Sequence, residues 1–390
     1  MSDHWQEVTL EEACFGKGQY GFTASASLEA SGPHLLRTTD ITGRSVEWAT
    51  VPRCEMAENE MRKYLLGDGD ILICRMGSVG VSAFIESAPE SVFASYLVRF
   101  KPNPDIVLPK YLGYILQSDM WWDYVEAVQS GTVQPTLNAA VMAGFTLRVP
   151  SVAQQADTVA LLSAVDARLN ALQRVQATLG DMVLAECEAS VEDRSGIDTI
   201  SLSKATRLVN GGAYTKDATG TGRMVIRIKE LNSGPSESTV YNDITVPPEK
   251  TAFPGDVLFA WSGSLGVWRW FADEAIVNQH IFKVLPGEHQ VWLSWFHILS
   301  ELEAFRDIAA GKATTMGHIT KDHLDRAQVP AFSTVELEAL RLRVEPLWQY
   351  QLSIGRQAVA LENMRAFLLP RLVTGDLRVQ EVESLIEAAL

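Results

Sequence analysis

No stretch of this 390-residue sequence reaches the roughly 18 consecutive apolar residues that a bilayer-crossing helix needs. The amino-terminal Met-Ser-Asp-His-Trp-Gln-Glu also lacks the basic start and apolar centre of a secretory signal. A membrane partner is excluded on this reading, and the cytoplasm is the expected compartment. Cysteine is scarce. Cys14, Cys54, Cys74 and Cys187 show no Cys-x-x-Cys spacing and no clustering with histidine. That excludes a disulfide framework and a zinc site, and the four read as buried thiols. Positive charge is short as well, with 33 Lys and Arg against 48 Asp and Glu, a net charge of -15. Coating nucleic acid regardless of sequence needs clustered Lys and Arg, so that function is excluded. A local basic face stays open, because the distribution of charge decides the matter. Much of the acidity lies in helices and the tail, at Glu186, Glu188, Glu192, Asp193, Glu381, Glu383 and Glu387.

The catalytic motifs are missing too. There is no G-x-x-x-x-G-K-[ST] phosphate loop, and no Asn-Pro-Pro-aromatic or Asp-Pro-Pro-aromatic run of the kind an amino-group methyltransferase uses to grip its nitrogen. Pro104-Asp105 has no Glu-x-Lys downstream to complete a nuclease motif, and the seven histidines show no metal spacing. Ser78 and Ser264 stand in Gly-Ser-x-Gly, which is not the G-x-S-x-G elbow of a hydrolase. Gly16, Gly18 and Gly21 spell G-x-G-x-x-G, but no buried strand precedes them and no long helix follows, so a dinucleotide fingerprint is set aside. The chain reads as a binder, with no catalytic residues and no metal.

What is present is organised around two long helices. From Ser151 to about Glu188, apolar residues fall three and four apart at Leu162, Val165, Leu169, Leu172, Leu179 and Val183, with Gln176 breaking the seam. The spacing returns between Val335 and Leu372 at Leu337, Leu340, Val344, Leu347, Ile354, Ala358, Leu361 and Leu368. Seams this narrow are satisfied by a second helix, so the two are expected to pair as a coiled coil. Leu162, Leu169, Leu172, Leu347, Ile354 and Leu361 are the expected interface. The plainer alternative is two amphipathic helices, each packed on its own domain. Each helix follows a Val-Pro, at Val149-Pro150 and Val329-Pro330.

Between the helices the chain repeats itself. Gly69-Asp70-Ile71-Leu72 through Gly77-Ser78-Val79-Gly80 matches Gly255-Asp256-Val257-Leu258 through Gly263-Ser264-Leu265-Gly266 at a constant spacing of 186 positions. Each block reads as two strands flanking a glycine turn. A strand and turn at 35–43 has its counterpart starting at 225–231, and a strand at 93–100 corresponds to one at 276–284. The helix at 109–128 corresponds to one at 292–310. The expected fold is α/β (α+β): a first globular domain over 1–150, a central helix over 151–190, a second globular domain over 191–332, and a second helix with tail over 333–390.

Arg, Lys, Asn, Gln, Ser and Thr are the side chains that reach base edges and phosphates. With aromatic and histidine neighbours included, the candidates on the expected loops are Lys17, Tyr20, Arg75, Ser78, Gln134 and Asn138 in the first half. In the second they are Lys216, Trp261, Ser264, Arg269, His280, Lys312, Thr314 and His318. Trp268 and Trp270 read better as core. The plainer view of any one of these residues is a turn position.

Two copies of a domain bearing G-D-[IV]-L and G-S-x-G, each closed by Val-Pro and a long helix, carry a family resemblance. So does the ending Leu368-Leu369-Pro370-Arg371-Leu372-Val373-Thr374-Gly375-Asp376-Leu377-Arg378-Val379. Together they resemble the DNA-specificity subunits of type I restriction-modification systems. Gln154-Gln155 after Val149-Pro150 is similar to that family's Pro-x-x-x-Gln helix start, from which the second copy departs with Glu336 and Glu338. The resemblance implies two target-recognition domains, each reading one half of a bipartite site in double-stranded DNA, with antiparallel helices setting the gap. It also implies docking of two DNA methyltransferase subunits that bring S-adenosylmethionine and methylate adenine, and recruitment of a restriction or translocase subunit. This chain itself would bind no cofactor. The alternatives are a protein-binding scaffold without catalysis and a DNA-reading subunit of another phage-defence complex.

Overall fold

The computed structural model describes residues 5–42, 45–129, 136–192, 198–286, 290–311, 317–382 and 384. They form two compact units, Met1–Ala167 with Asn363–Leu390, and Arg168–Glu362. The division passes through both long helices, so each unit holds one mixed α/β domain and a length of each helix.

In the first unit a four-stranded antiparallel sheet has the order Gln19–Tyr20, Leu97–Phe100, Ile71–Cys74, Ser82–Phe84. Its central strand Ile71–Cys74 is buried along its whole length, which is why the sequence shows an apolar run there instead of alternation. Successive side chains point to opposite faces. Ile71 and Ile73 enter a core with Val98, Tyr111 and Trp121, while Leu72 and Cys74 enter another with Leu36 and Phe93. Beside this sheet His34–Leu36 pairs in parallel with Ser91–Phe93. Gln6–Thr9 pairs antiparallel with Thr146–Val149, so the strand ending at Val149 closes the domain.

The second unit repeats the central sheet, the parallel pair and the closing pair, and extends its parallel pair to four strands with Tyr241–Asn242 and Thr251–Ala252. Its sheet runs Arg207–Asn210, Ile281–Leu285, Val257–Ala260, Gly266–Arg269, again all antiparallel. Arg223–Ile226 pairs in parallel with Ala275–Val277, and Thr199–Ser201 closes the domain against Gln328–Pro330. Val257 and Phe259 face one core, and Leu258 and Ala260 the other.

Two expectations need correction. The single strands read at 93–100 and 276–284 are each two strands in different sheets, Ser91–Phe93 with Leu97–Phe100 and Ala275–Val277 with Ile281–Leu285. The chain turns between sheets where a period-two pattern shows no break. The helix read at 109–128 is also two, Pro109–Ile115 and Asp119–Gln129, whereas Val291–Ala310 in the second half is continuous.

A buried ion pair explains the aspartate shared by both copies. Asp70 accepts from the Gly67 amide at 3.0 Å and pairs with Arg99 at 3.3 Å. Arg99 also donates to the Leu65 carbonyl at 2.6 Å and to Gln19. In the second half Asp256 accepts from the Phe253 amide at 2.7 Å and pairs with Lys283 at 2.7 Å, while Lys283 donates to the Thr251 carbonyl at 2.7 Å. Buried charges persist only when paired and hydrogen-bonded in this way. Close approach explains the glycines. A Cβ on Gly21 would stand 2.3 Å from the Ala94 carbonyl oxygen, and one on Gly211 would stand 2.2 Å from that of Asn278. Gly18 has φ +87° and lies against Phe100, so the G-x-G-x-x-G serves packing and turn geometry.

The long helices are Val152–Glu192 and Thr334–Thr374, each of 41 residues. Both begin with a capping box, Ser151 with Gln154 and Ser333 with Glu336. Glu336 therefore performs the capping of Gln154, and the departure concerns the next position. Gln155 is fully buried, accepting from the Leu108 amide at 2.8 Å and donating to the Ile106 and Pro150 carbonyls at 2.9 Å. Leu337 occupies the corresponding place in the second helix and has no such amide to offer.

In the second unit Leu169, Leu172 and Leu179 pack with Ile354 and Ala358, flanked by Leu347 and Leu361. The helices run antiparallel. Gln173 donates to Glu362 at 3.2 Å, Gln351 donates to the Gln176 carbonyl at 3.0 Å, and Arg343 pairs with Glu186 at 2.9 Å. Gln176 thus marks a polar layer in the seam. Other seam residues are diverted: Val183, Leu340 and Val344 join the second domain's core, and Leu162 and Leu368 join the first domain's. Each helix packs both on its partner and on a domain. In the first unit Arg365, 2% exposed, ties the helices to the domain through Asp166 and Gln117. The carboxy-terminal signature ends the helix at Gly375, φ +84°, where a Cβ would stand 2.3 Å from Trp5.

Candidate nucleic-acid interface

The Gly-Ser-x-Gly turn lies at the same end of each central sheet, and register fixes which residues surround it. Arg75 follows the strand Ile71–Cys74 as Trp261 follows Val257–Ala260. The Arg75 amide donates to the Tyr96 carbonyl at 2.9 Å and its carbonyl accepts from Leu137 at 3.0 Å. The Trp261 amide donates to the His280 carbonyl at 3.3 Å and its carbonyl accepts from Ile319 at 3.1 Å. The positively-φ glycines Gly77 and Gly263 let each turn rest on the segment after the parallel strand, beside Thr38 in one half and Ile228 in the other. That segment is pinned alike in both: Arg37 donates to Asp40 at 2.9 and 2.7 Å, and Arg227 chelates Glu230. Burial pushes the Glu230 carboxyl up, but Arg227 outweighs it and holds the group below the usual carboxylate range.

The side chains on this shared frame differ. In the first half the Arg75 guanidinium lies 4.9 Å from the Tyr20 ring centroid, a cation–π arrangement. Tyr20, 42% exposed, accepts at its hydroxyl from the Ala139 amide at 3.0 Å. Asn138 accepts from the Val141 amide at 2.9 Å as the cap of the helix Ala139–Ala143. Ser78 is exposed on the turn. In the second half Trp261 donates to Asn210 at 3.0 Å, and its ring centroid lies 5.7 Å from that of His280 and 6.3 Å from that of His318. Ser262 and His280 hydrogen-bond at 3.1 Å, and Ser264 is exposed.

So Tyr20, Arg75, Ser78 and Asn138 come together in one half, and Trp261, Ser264, His280 and His318 in the other. Lys17 is exposed and lies 3.8 Å from Glu11. Lys216 is exposed on the loop after Arg207–Asn210. Gln134, Lys312 and Thr314 lie outside the described residues. Arg269 is a correction. It lies at the opposite end of its strand from the turn and donates to the Trp348 carbonyl at 2.6 Å and to Gln351 at 2.8 Å. Its guanidinium sits 3.6 Å from the Trp348 ring centroid, and burial pulls its pKa down to about 9 against the opposing effect of Glu345. This arginine joins the domain to the second long helix. Trp270 is buried, and Trp268 packs against the same core.

Sequence reading missed Asn210 and Tyr96. The available signal for Asn210 was the glycine after it, since Asn210-Gly211 stands where Tyr20-Gly21 stands. Among the described residues no cluster of three or more His, Cys, Asp or Glu could hold a metal ion, and no helix is long and apolar enough to cross a membrane.

A family model of the type I restriction modification DNA specificity domain matches residues 38–178. The specificity subunit of the type I restriction enzyme EcoEI of Escherichia coli is 31% identical over 111 residues, which is 27% of this chain and 18% of that protein. The match thus spans less than a fifth of that curated relative's length. Among solved structures, the S subunit of a type I restriction-modification system from M. genitalium has a TM-score of 0.57 at 14% identity, covering 95% of this chain and 96% of that one. The HsdS subunit from Thermoanaerobacter tengcongensis matches at a TM-score of 0.38 and 16% identity, over 96% and 97% of the two chains.

Proposed function

We propose that this chain, whose residues 38–178 match the type I restriction modification DNA specificity domain, is a specificity subunit that reads a bipartite site in double-stranded DNA, one half-site with each domain. The observation that carries the reading is a central sheet repeated strand for strand whose equivalent tips hold different chemistry, Arg75 with Tyr20 in one half and Trp261 with Asn210 in the other. Two readers of one build and unlike tips are what an asymmetric split site requires. Covalent linkage does for them what dimerisation does for readers of palindromes. A half-buried arginine at the sheet end suits guanine O6 and N7, and a Trp–His cluster suits stacking and apolar contact with thymine.

The paired helices hold the gap between half-sites and dock two modification subunits, which carry S-adenosylmethionine and methylate adenine. This chain then contributes positioning and no bond-making, in the cytoplasm, with a restriction or translocase subunit joining where the system has one. The test is to assemble the chain with its modification subunits and map methylated adenines by sequencing. Arg75→Ala is expected to relax or change one half-site and Trp261→Ala the other. A single substitution that shifts both half-sites, or neither variant changing the methylated sequence, overturns the proposal.

A further inference from the structure

The second domain contains a cleft of about 880 Å³ that shares Trp261 with the reading above and extends beyond it. Its apolar walls are Leu208, Trp261, Phe282 and Ile319, and Lys204, Arg207 and Lys321 stand around it. All three cations are exposed, and none is in an ion pair among the described residues. Thr206 also lines the cleft. It is 2% exposed, and its hydroxyl has no hydrogen-bond partner. A buried hydroxyl left unpaired costs free energy that a ligand atom can recover.

The first half has no equivalent lining. By strand register Arg207 corresponds to Lys17, Leu208 to Gly18, Phe282 to Val98 and Trp261 to Arg75, and the helix starts align Lys321 with Ala139. The aromatic walls and most of the cations belong to the second half alone.

We propose that this cleft binds a single nucleotide, its base against Trp261 and Phe282, its phosphate among Lys204, Arg207 and Lys321, and a polar atom of sugar or base on the Thr206 hydroxyl. Aromatic faces hold any base through its π-surface, and lysine and arginine supply charge-assisted hydrogen bonds to phosphate oxygens. The volume lies within the ordinary range of small-ligand sites. The nucleotide comes either from solution or from bound DNA by extrusion of one residue. Only the second source rests on the DNA-reading assignment.

The test is calorimetric titration of the full chain with deoxyadenosine monophosphate and, separately, with inorganic phosphate. Saturable one-to-one binding of the nucleotide is expected, and phosphate alone should bind at least about tenfold more weakly because it lacks the stacking contribution. The combined Lys204→Gln, Arg207→Gln, Lys321→Gln variant, which alters only exposed side chains, should weaken nucleotide binding by about tenfold or more. Thr206→Val, nearly isosteric, should weaken it by about two- to fivefold.

A duplex carrying 2-aminopurine in the mapped site distinguishes the sources. An extruded base gives a fluorescence change that the triple variant abolishes, and the duplex then displaces the free nucleotide. A nucleotide taken from solution saturates the free chain while the duplex gives no 2-aminopurine change. The proposal is overturned if the wild-type chain saturates with no nucleotide and gives no 2-aminopurine change, or if the triple variant behaves as wild type. Failure here with an unchanged methylation map leaves DNA reading intact. Nucleotide binding in a chain that selects no DNA sequence sinks DNA reading alone.

Discussion

Where the first domain sets Arg75 over the ring of Tyr20, the second sets Trp261 against Asn210. Some residues behind, both hold an aspartate on a cation from the neighbouring strand, Asp70 on Arg99 and Asp256 on Lys283. The positions are equivalent in each case, yet one pair has kept its chemistry and the other has exchanged it. An interior carboxylate can be accommodated in few ways, because it needs both a counter-charge and donors to its remaining lone pairs. A side chain at the end of a sheet meets solvent and ligand, and the fold tolerates an arginine or a tryptophan there equally. The comparison therefore separates what folding requires of the repeat from what recognition requires of each copy.

The strongest way to break it is through the buried pairs. Asp70→Ala leaves Arg99 uncompensated with both side chains under a tenth exposed, and is expected to cost about 3–5 kcal/mol. Asp256→Ala should cost roughly half as much, because the Asp256 side chain is 25% exposed and water already screens the attraction that is lost. Thiol labelling during denaturant titration shows which half opens. Cys14, Cys54 and Cys74 report the first unit and Cys187 the second, and all four are buried. Burial pushes the thiols of Cys14, Cys74 and Cys187 up to about 12, so the native chain should be silent near pH 8. In the Asp70 variant the first three should react before Cys187. Simultaneous reaction would mean that the halves do not open separately.

The helix seam gives the next effect. Leu172→Ala should cost about 2–4 kcal/mol, since it empties a buried site facing Ile354 and Ala358. Leu361→Ala, at a partly buried edge of the same cluster, should cost about half of that by thermal or chemical denaturation. If the two cost the same, the seam is not graded in the way its burial indicates. Gly21→Ala and Gly211→Ala come after. Each drives a methyl group into a carbonyl oxygen of the adjoining strand, with an expected cost of about 1–3 kcal/mol in either half. Unequal costs would show that the repeat is less strict than its backbone.

The repeat, the paired helices and the position of the glycine turn were legible in the sequence, because each is written in local pattern: an apolar period, a motif at constant spacing, a Val-Pro before a cap. Arg99 and Lys283 were not legible as partners of Asp70 and Asp256. A lone cation in an apolar strand carries no sign of which carboxylate it will meet, and the two partners even differ in type. Arg269 was misread for the same reason. It sits beside tryptophans in the chain, but its strand points it away from the turn and onto Trp348 and Gln351. The equivalence of Asn210 and Tyr20 had only the following glycine as its sign, and the cleft lined by Arg207, Trp261, Phe282 and Lys321 draws on separated segments that no spacing rule connects.

The smallest effect sharpens the comparison at a residue with two possible duties. Asn138 caps the short helix Ala139–Ala143 through its bond from Val141, and it also lies beside Tyr20, whose hydroxyl takes the Ala139 amide. Asn138→Ala should lose the cap and cost about 1 kcal/mol, within the first unit only. Asn138→Asp keeps an equally good cap acceptor but removes the amide donors and adds a negative charge. If Asn138 serves the fold alone, the aspartate variant keeps wild-type stability and an unchanged methylation map. If it also reads DNA, stability is kept while methylation at the first half-site falls or changes its sequence, because a carboxylate repels the phosphates and can accept only from cytosine N4 or adenine N6. The pair of variants thus decides on which side of the division between frame and tip this residue belongs.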